Sequence, residues 1–171
     1  SFKIGFYAQR SHRIVQNWNC ALQPSIFNNV LDVISNWIQQ FNVSIYDENS
    51  KKGLLRHIYI RQGQRTKQLM VCLVVTKVKV PNVDQLIDQL RVFDNLTSVV
   101  ININNKDTNV ILGNECIMLY GKDNIEDVIC DNVISISPMA FYQVNTCQAE
   151  KLYTIAASIA TLSKQDILLD M

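Results

Sequence analysis

The sequence predicts an α+β fold, an antiparallel-rich sheet with helices packed on a face, and three observations predict it. Apolar residues recur at three- and four-residue spacing in separate windows, short β-branched runs bounded by turn residues flank those windows, and the order strand, strand, helix, strand occupies residues 54–102. The chain has 171 residues, 48% of them apolar and 18% charged, which suffices to bury a core in one domain or one and a fraction. No apolar run approaches the roughly 18 residues of a membrane span, and the charge density is too low for a disordered tail.

Residues 2–8 and 12–17 read as a hairpin. Pro24 then opens a helix in which Ile26, Phe27, Val30, Leu31, Ile34, Trp37, Ile38 and Phe41 form one apolar stripe. After a polar loop through Gly53, a strand from Leu54 to Arg61, a turn at Gln62-Gly63-Gln64 and a strand from Gln68 to Thr76 make a second hairpin. Pro81-Asn82 starts another helix, with Asn82 as its N-cap, Gln85 as the capping-box partner, and Val83, Leu86, Ile87, Leu90 and Phe93 on one face. Leu96 to Asn102 is a strand, and short strands at 109–112, 115–120, 125–130 and 133–137 extend or cap the sheet. Asn145 and Gln148 form a further capping box ahead of an amphipathic helix carrying Ala149, Leu152, Tyr153, Ala156, Ile159 and Ala160. A last strand starts at Ile167 and is cut in mid-course at Met171, so the chain reads as an excised piece of a longer protein.

The net charge of +1 conceals a segregation. Residues 1–90 hold 11 Lys and Arg against 5 Asp and Glu, a balance of +6; the remainder holds 5 against 10, a balance of −5. Two readings of the basic half stand side by side, a face that meets a polyanion and a solvated surface whose charges happen to separate. The five glycines are too far apart for a G-x-G or a G-x-x-x-x-G-K phosphate loop. Cys20, Cys72, Cys116, Cys130 and Cys147 form no C-x-x-C pair, and an odd, motif-free set argues for reduced thiols in the cytoplasm. His12 and His57 are far apart, so no metal cluster is legible.

The segment Ser137-Pro138-Met139-Ala140-Phe141-Tyr142-Gln143-Val144-Asn145-Thr146, followed by Gln148-Ala149-Glu150-Lys151-Leu152-Tyr153, closely resembles the S-P-x-x-F-x-Q-V-N-x-x-Q-A-E-K-L-Y block of the RNA uracil-5-methyltransferase family, of the type acting on 23S ribosomal RNA. Gly5-Phe6-Tyr7 through Val15, Leu55-Arg56-His57-Ile58, and Val99 to Asn104 through Thr108 to Gly113 also look like that family's central region. The resemblance implies a central α+β domain at 1–137 that meets substrate RNA. It implies that 138–171 begin a truncated Rossmann-like methyltransferase domain using S-adenosyl-L-methionine, and that the strand from Ile167 stops short of the Gly-rich cofactor loop.

In the family a Cys thiolate adds to C6 of uracil, the enolate C5 takes the sulfonium methyl, and a carboxylate removes the C5 proton, with the base extruded from the RNA. That Cys and that carboxylate lie beyond this segment, so no catalytic residue is expected here and the segment alone is expected to be inactive. Gln143 matches the family Gln at the cofactor and target base. Phe141, two positions earlier, either stacks on the extruded base or anchors the helix entrance. Asn145 is assigned to the N-cap. Cys20, in a stretch similar to the family's K-x-C-x-I-Q element, is either one ligand of a four-iron four-sulfur cluster or a plain thiol. The rival reading is a non-catalytic RNA-binding module in which Arg56, Arg61, Arg65 and Lys67, with Tyr59, contact phosphates and stack a base.

Overall fold

The computed structural model describes residues 2–16, 20–163, 165–167 and 169. Its organising element is β4 (Leu69–Val75), seven successive apolar residues all buried, as a strand covered on both faces must be. It lies inside a four-stranded sheet of order β3-β4-β5-β6, formed with β3 (Leu55–Gln62), β5 (Leu96–Ile103) and β6 (Glu115–Gly121). β3 and β4 pair antiparallel, as do β5 and β6; β4 and β5 are parallel and so need a crossover, which α2 (Val83–Leu90) supplies.

One face of the sheet carries the helices. Leu69, Val71, Leu73 and Val75 of β4 join Val99 and Ile101 of β5 in a core closed by Val30, Ile34, Trp37 and Ile38 of α1 (Ile26–Gln40) and Leu86 and Leu90 of α2. The Trp37 indole donates to the Asn82 carbonyl at 2.9 Å and ties the two helices together. That bond accompanies a departure from the capping box expected at 82–85. Asn82 sits in the left-handed region (φ 52°), which Asn tolerates, and its side chain makes no cap hydrogen bond. Asp84 in the first turn complements the helix dipole.

The other face is covered by a two-stranded hairpin, β7 (Ile125–Ile129) with β8 (Asn132–Ile136), so these strands overlie the sheet rather than extend it. Met70 of β4, Ile125 and Ile136 form this second core, with Tyr142 packed against it. The first hairpin is reduced to β1 (Phe6–Tyr7) and β2 (Ile14–Val15). Residues 109–112 form no strand, because side chains claim the local carbonyls: the Asn104 amide donates to Val110 and Ile111. α3 (Thr146–Ala160) follows Asn145, whose side chain accepts from the Gln148 amide as expected of an N-cap. Of the strand expected from Ile167, Leu168, Asp170 and Met171 lie outside the described residues, and Ile167 and Leu169 belong to no strand. Among the described residues no helix is long and apolar enough to cross a membrane.

Candidate nucleic-acid interface

The turn between β3 and β4 is the local structure from which the site is built. Gly63 is buried there, and a Cβ would run into Thr66 and the Glu126 carbonyl, so the tight approach of the hairpin β7–β8 requires glycine. The chain closes with Lys67 N donating to Gly63 O, Lys67 being left-handed at φ 60°. Asp127 of β7, fully buried, fills the inside of the turn. Its Oδ1 accepts from Arg65 N at 2.8 Å and Thr66 N at 3.3 Å, its Oδ2 from Gln64 N at 2.6 Å and from the Tyr142 hydroxyl at 2.8 Å. Burial pushes the Asp127 carboxyl up, but the amides of Arg65 and Gln64 and the Tyr142 hydroxyl outweigh it and hold the group below the usual aspartate range. Burial, then the bond to Asp127, pushes the Tyr142 hydroxyl up to about 12.

Around this centre the segment after β8 is laced to the sheet. Arg61 Nη1 donates to the Ser137 carbonyl at 2.6 Å, its guanidinium 5.3 Å above the Tyr59 ring, and burial holds it below the ordinary arginine value. Arg65 Nη2 meets Glu150 Oε1 of α3 at 2.8 Å, and the same oxygen accepts from Cys130 N. Thr146 Oγ1 donates to the Gln143 carbonyl. These contacts border a cleft of about 730 Å³ between the loop before α1, the end of β3 and residues 142–146. Gln143 and Lys67 both line it.

The basic residues proposed for phosphate contact therefore have different positions. The Arg56 side chain is 1% exposed: it pairs with Glu48 at 3.1 Å, donates to the carbonyls of Asn104, Lys106 and Thr108, and lies 4.3 Å over the Tyr46 ring. The expectation that Arg56 meets RNA is corrected, because its charge is spent on pinning the 104–108 loop. Arg61 is half-buried on Ser137, and Arg65, though half-exposed, is neutralised by Glu150. Lys67 is exposed, and among the described residues no ion pair takes its ammonium. Phe141 is 83% exposed, while Gln143 is half-buried and donates from Nε2 to the Tyr153 hydroxyl at 3.0 Å.

At the opposite end of β3, the rings of His12 and His57 both meet that of Tyr7 edge-on, at 5.3 and 6.0 Å between centroids, and dock the first hairpin on the sheet. Burial, reinforced by Arg56 and opposed by Glu48, holds His57 below its ordinary value. The unfolded chain thus binds a proton that the folded chain refuses. Stability should fall as the pH drops below about 6.5 and stop falling beneath the lowered folded value. Thermal unfolding followed from pH 8 to 5 should show this decline, and His57→Leu should flatten it.

No protein-family model matches the chain. It is 42% identical over 168 residues, 98% of its length, to a protein of Clostridium tetani named an uncharacterized RNA methyltransferase. It is 40% identical over the same span to proteins of that name in Staphylococcus epidermidis and Staphylococcus aureus. Over nearly its whole length the chain is similar to a part of these RNA methyltransferases. It spans 36–37% of the length of these relatives. In fold it is similar to the Pyrococcus abyssi tRNA (uracil-54, C5)-methyltransferase, solved in complex with S-adenosyl-L-homocysteine, with a TM-score of 0.72 and 23% identity over 85% of this chain and 35% of that one.

Among the described residues no group of three or more Cys, His, Asp or Glu could hold a metal, and Cys20 stands by itself before the cleft-lining loop; a four-iron four-sulfur cluster takes four thiolates, and the reading of Cys20 as one of them places the other three ahead of Ser1. Sequence reading missed Asp127, although a signal for it existed. In Ile125-Glu126-Asp127-Val128-Ile129 the two-residue alternation puts Asp127 on the face of the buried Ile125, and an acidic residue on a core face implies converging donors.

Proposed function

We propose that residues 1–137 are the substrate-side domain, and residues 138–171 the start of the methyltransferase domain, of a cytoplasmic S-adenosylmethionine-dependent enzyme that forms 5-methyluridine in 23S ribosomal RNA. The observation that carries the reading is Gln143 in the wall of the cleft that Lys67 also lines, on a segment fastened at Ser137 to Arg61 of β3 and at Tyr142 to Asp127 of β7. The likeness to these relatives and the fold likeness support methyl transfer to RNA; the S-P-x-x-F-x-Q-V-N block supports uracil C5; the free thiols support a reducing compartment.

Within this chain Gln143 fits the cofactor side of such a site. It is a neutral amide, so it can hydrogen-bond beside a sulfonium without competing for the methyl group, and its oxygen takes no hydrogen bond among the described residues. S-adenosylmethionine supplies the methyl group when bound. The chain's own part is to orient: Gln143 faces the cofactor and the target base, Phe141 offers an exposed ring to an extruded base, and Lys67 meets a phosphate. The rival reading as an assembly module is weakened because Arg56, Arg61 and Arg65 are engaged within the protein.

The test is methyl transfer by the full-length enzyme from labelled S-adenosylmethionine to 23S ribosomal and transfer RNA transcripts, followed by nuclease digestion and nucleoside mass spectrometry. The expected product is 5-methyluridine in the ribosomal transcript; label at another base, or none, overturns the reading. Residues 1–171 alone are expected to give no saturable heat with the cofactor, since the Gly-rich loop is not among them. For RNA binding, Lys67→Ala should reduce the salt slope of log affinity by about one unit, whereas Arg56→Ala should leave the slope in place. Filter binding from low to moderate salt measures both.

A further inference from the structure

The Asp127 carboxylate is an unusual choice for a merely structural position. It is fully buried, and no ion pair to it is present among the described residues; its charge is met by three amides and one hydroxyl. An uncompensated buried charge is costly, and a core of this size has simpler ways to close a turn. What the carboxylate does that an apolar residue cannot is join two segments far apart in sequence. Three of its donors belong to the turn that bears Lys67, and the fourth is the side chain immediately before Gln143.

We infer that Asp127 is a positioning residue for RNA methyl transfer: on one carboxylate it fixes the turn that meets RNA and, through the Tyr142 hydroxyl, the neighbouring Gln143 amide. The inference rests on the role of Gln143 proposed above. Tyr142 is held from two sides, its ring against Met70, Ile125 and Ile136 and its hydroxyl on Asp127 Oδ2, which anchors the backbone from which the adjacent Gln143 projects. The same lacing continues beyond the carboxylate. Thr66 Oγ1 donates to the Glu126 carbonyl, Glu126 N donates to Gln68 Oε1, and Arg65 holds Glu150 at the start of α3. A phosphate drawing on the turn thus pulls against the segment that carries Gln143. Asparagine substitutes poorly, because Oδ1 accepts from Arg65 N and Thr66 N and Oδ2 from Gln64 N, so an amide nitrogen on either side faces a backbone donor.

Tyr142→Phe in the full-length enzyme is the decisive variant, since it removes one hydroxyl and keeps the ring that fills the second core. It should lower kcat about tenfold, the usual loss for one charge-assisted hydrogen bond, with KM for RNA within about twofold. Because Tyr142 acts through Gln143, the double variant Tyr142→Phe/Gln143→Ala should be no slower than Gln143→Ala alone. Unchanged kcat in Tyr142→Phe, or single effects that multiply in the double variant, would overturn the assignment. Amide hydrogen exchange of the same variant, read by mass spectrometry, decides without reference to activity. Exchange should quicken together in peptides covering 64–66 and 140–146, and unchanged protection in the first of these breaks the proposed link. An enzyme without methyl transfer to RNA refutes the proposed function, and hydrogen exchange then decides the coupling by itself.

Discussion

Gln143→Ala in the full-length enzyme is expected to lower kcat/KM for RNA methylation about ten- to a hundredfold, equivalent to about 1.5 to 3 kcal/mol. The amide lies in a cleft wall, its nitrogen bonded to the Tyr153 hydroxyl and its oxygen free to face the cleft. Under the proposed function, removing it leaves a cofactor or base group without its hydrogen-bond partner. Stability should change little, because the bond to Tyr153 is exposed and the helix beyond is capped by Asn145. Asn145→Ala should do the opposite: it loses the side-chain acceptor for Gln148 N, costs about 1 kcal/mol, and lowers Tm by a few degrees while sparing more of the turnover. Steady-state kinetics and thermal unfolding of both variants separate the two roles. Full turnover in Gln143→Ala would reduce the segment to a helix entrance.

The elements whose stability comes from their own apolar pattern are legible in the sequence. The stripe Val30, Ile34, Trp37 and Ile38 can bury only as a helix, and the run Leu69–Val75 only as a strand covered on both faces. Asn145 declares itself because an N-cap needs nothing beyond its own helix. Where a remote group decides, local pattern fails. Asn82 reads as a capping side chain, but its backbone is left-handed and its carbonyl accepts the Trp37 indole 45 positions away. Residues 109–112 have strand-forming side chains, yet Asn104 takes two of their carbonyls and Arg56 takes those of Lys106 and Thr108.

The site divides in the same way. Gln143 can be singled out because its neighbours in sequence carry the resemblance. Arg56, Arg61 and Arg65 look equivalent to Lys67, since a count of charges carries no record of Glu48, the Ser137 carbonyl or Glu150 coming to meet them. Nothing in the local sequence distinguishes an arginine in water from one folded under a loop. Three of the eleven basic residues of the N-terminal half, Arg56, Arg61 and Arg65, are thus engaged within the protein, whereas Lys3, Arg10, Arg13, Lys52, Lys67, Lys77 and Lys79 are exposed.

The largest loss of stability is expected from Asp127→Ala. The substitution removes the acceptor of three buried amides and of the Tyr142 hydroxyl at once, and each unsatisfied donor carries its own desolvation cost. Partial opening of the turn to water limits the total to about 3 to 5 kcal/mol, a fall in Tm of roughly 10 °C. The effect has a defined pH dependence. The folded Asp127 carboxyl titrates below the ordinary aspartate value of about 3.9, so in the interval beneath that value the unfolded chain binds a proton and the folded chain does not. The carboxylate's contribution is complete above that interval and drains away as the pH falls through the folded value. Glu150 and Asp47, also held low by hydrogen bonds to backbone amides, add to the same acid limb, so the wild-type curve alone does not isolate Asp127. The difference between curves does: wild type and Asp127→Ala should be farthest apart near neutrality, and the gap should narrow as the pH falls below the ordinary aspartate value. Parallel curves with a constant gap down to pH 2 would mean that the carboxyl titrates alike in the folded and unfolded chains, and a gap that widens as the pH falls would mean that the turn is held by a neutral carboxylic acid instead.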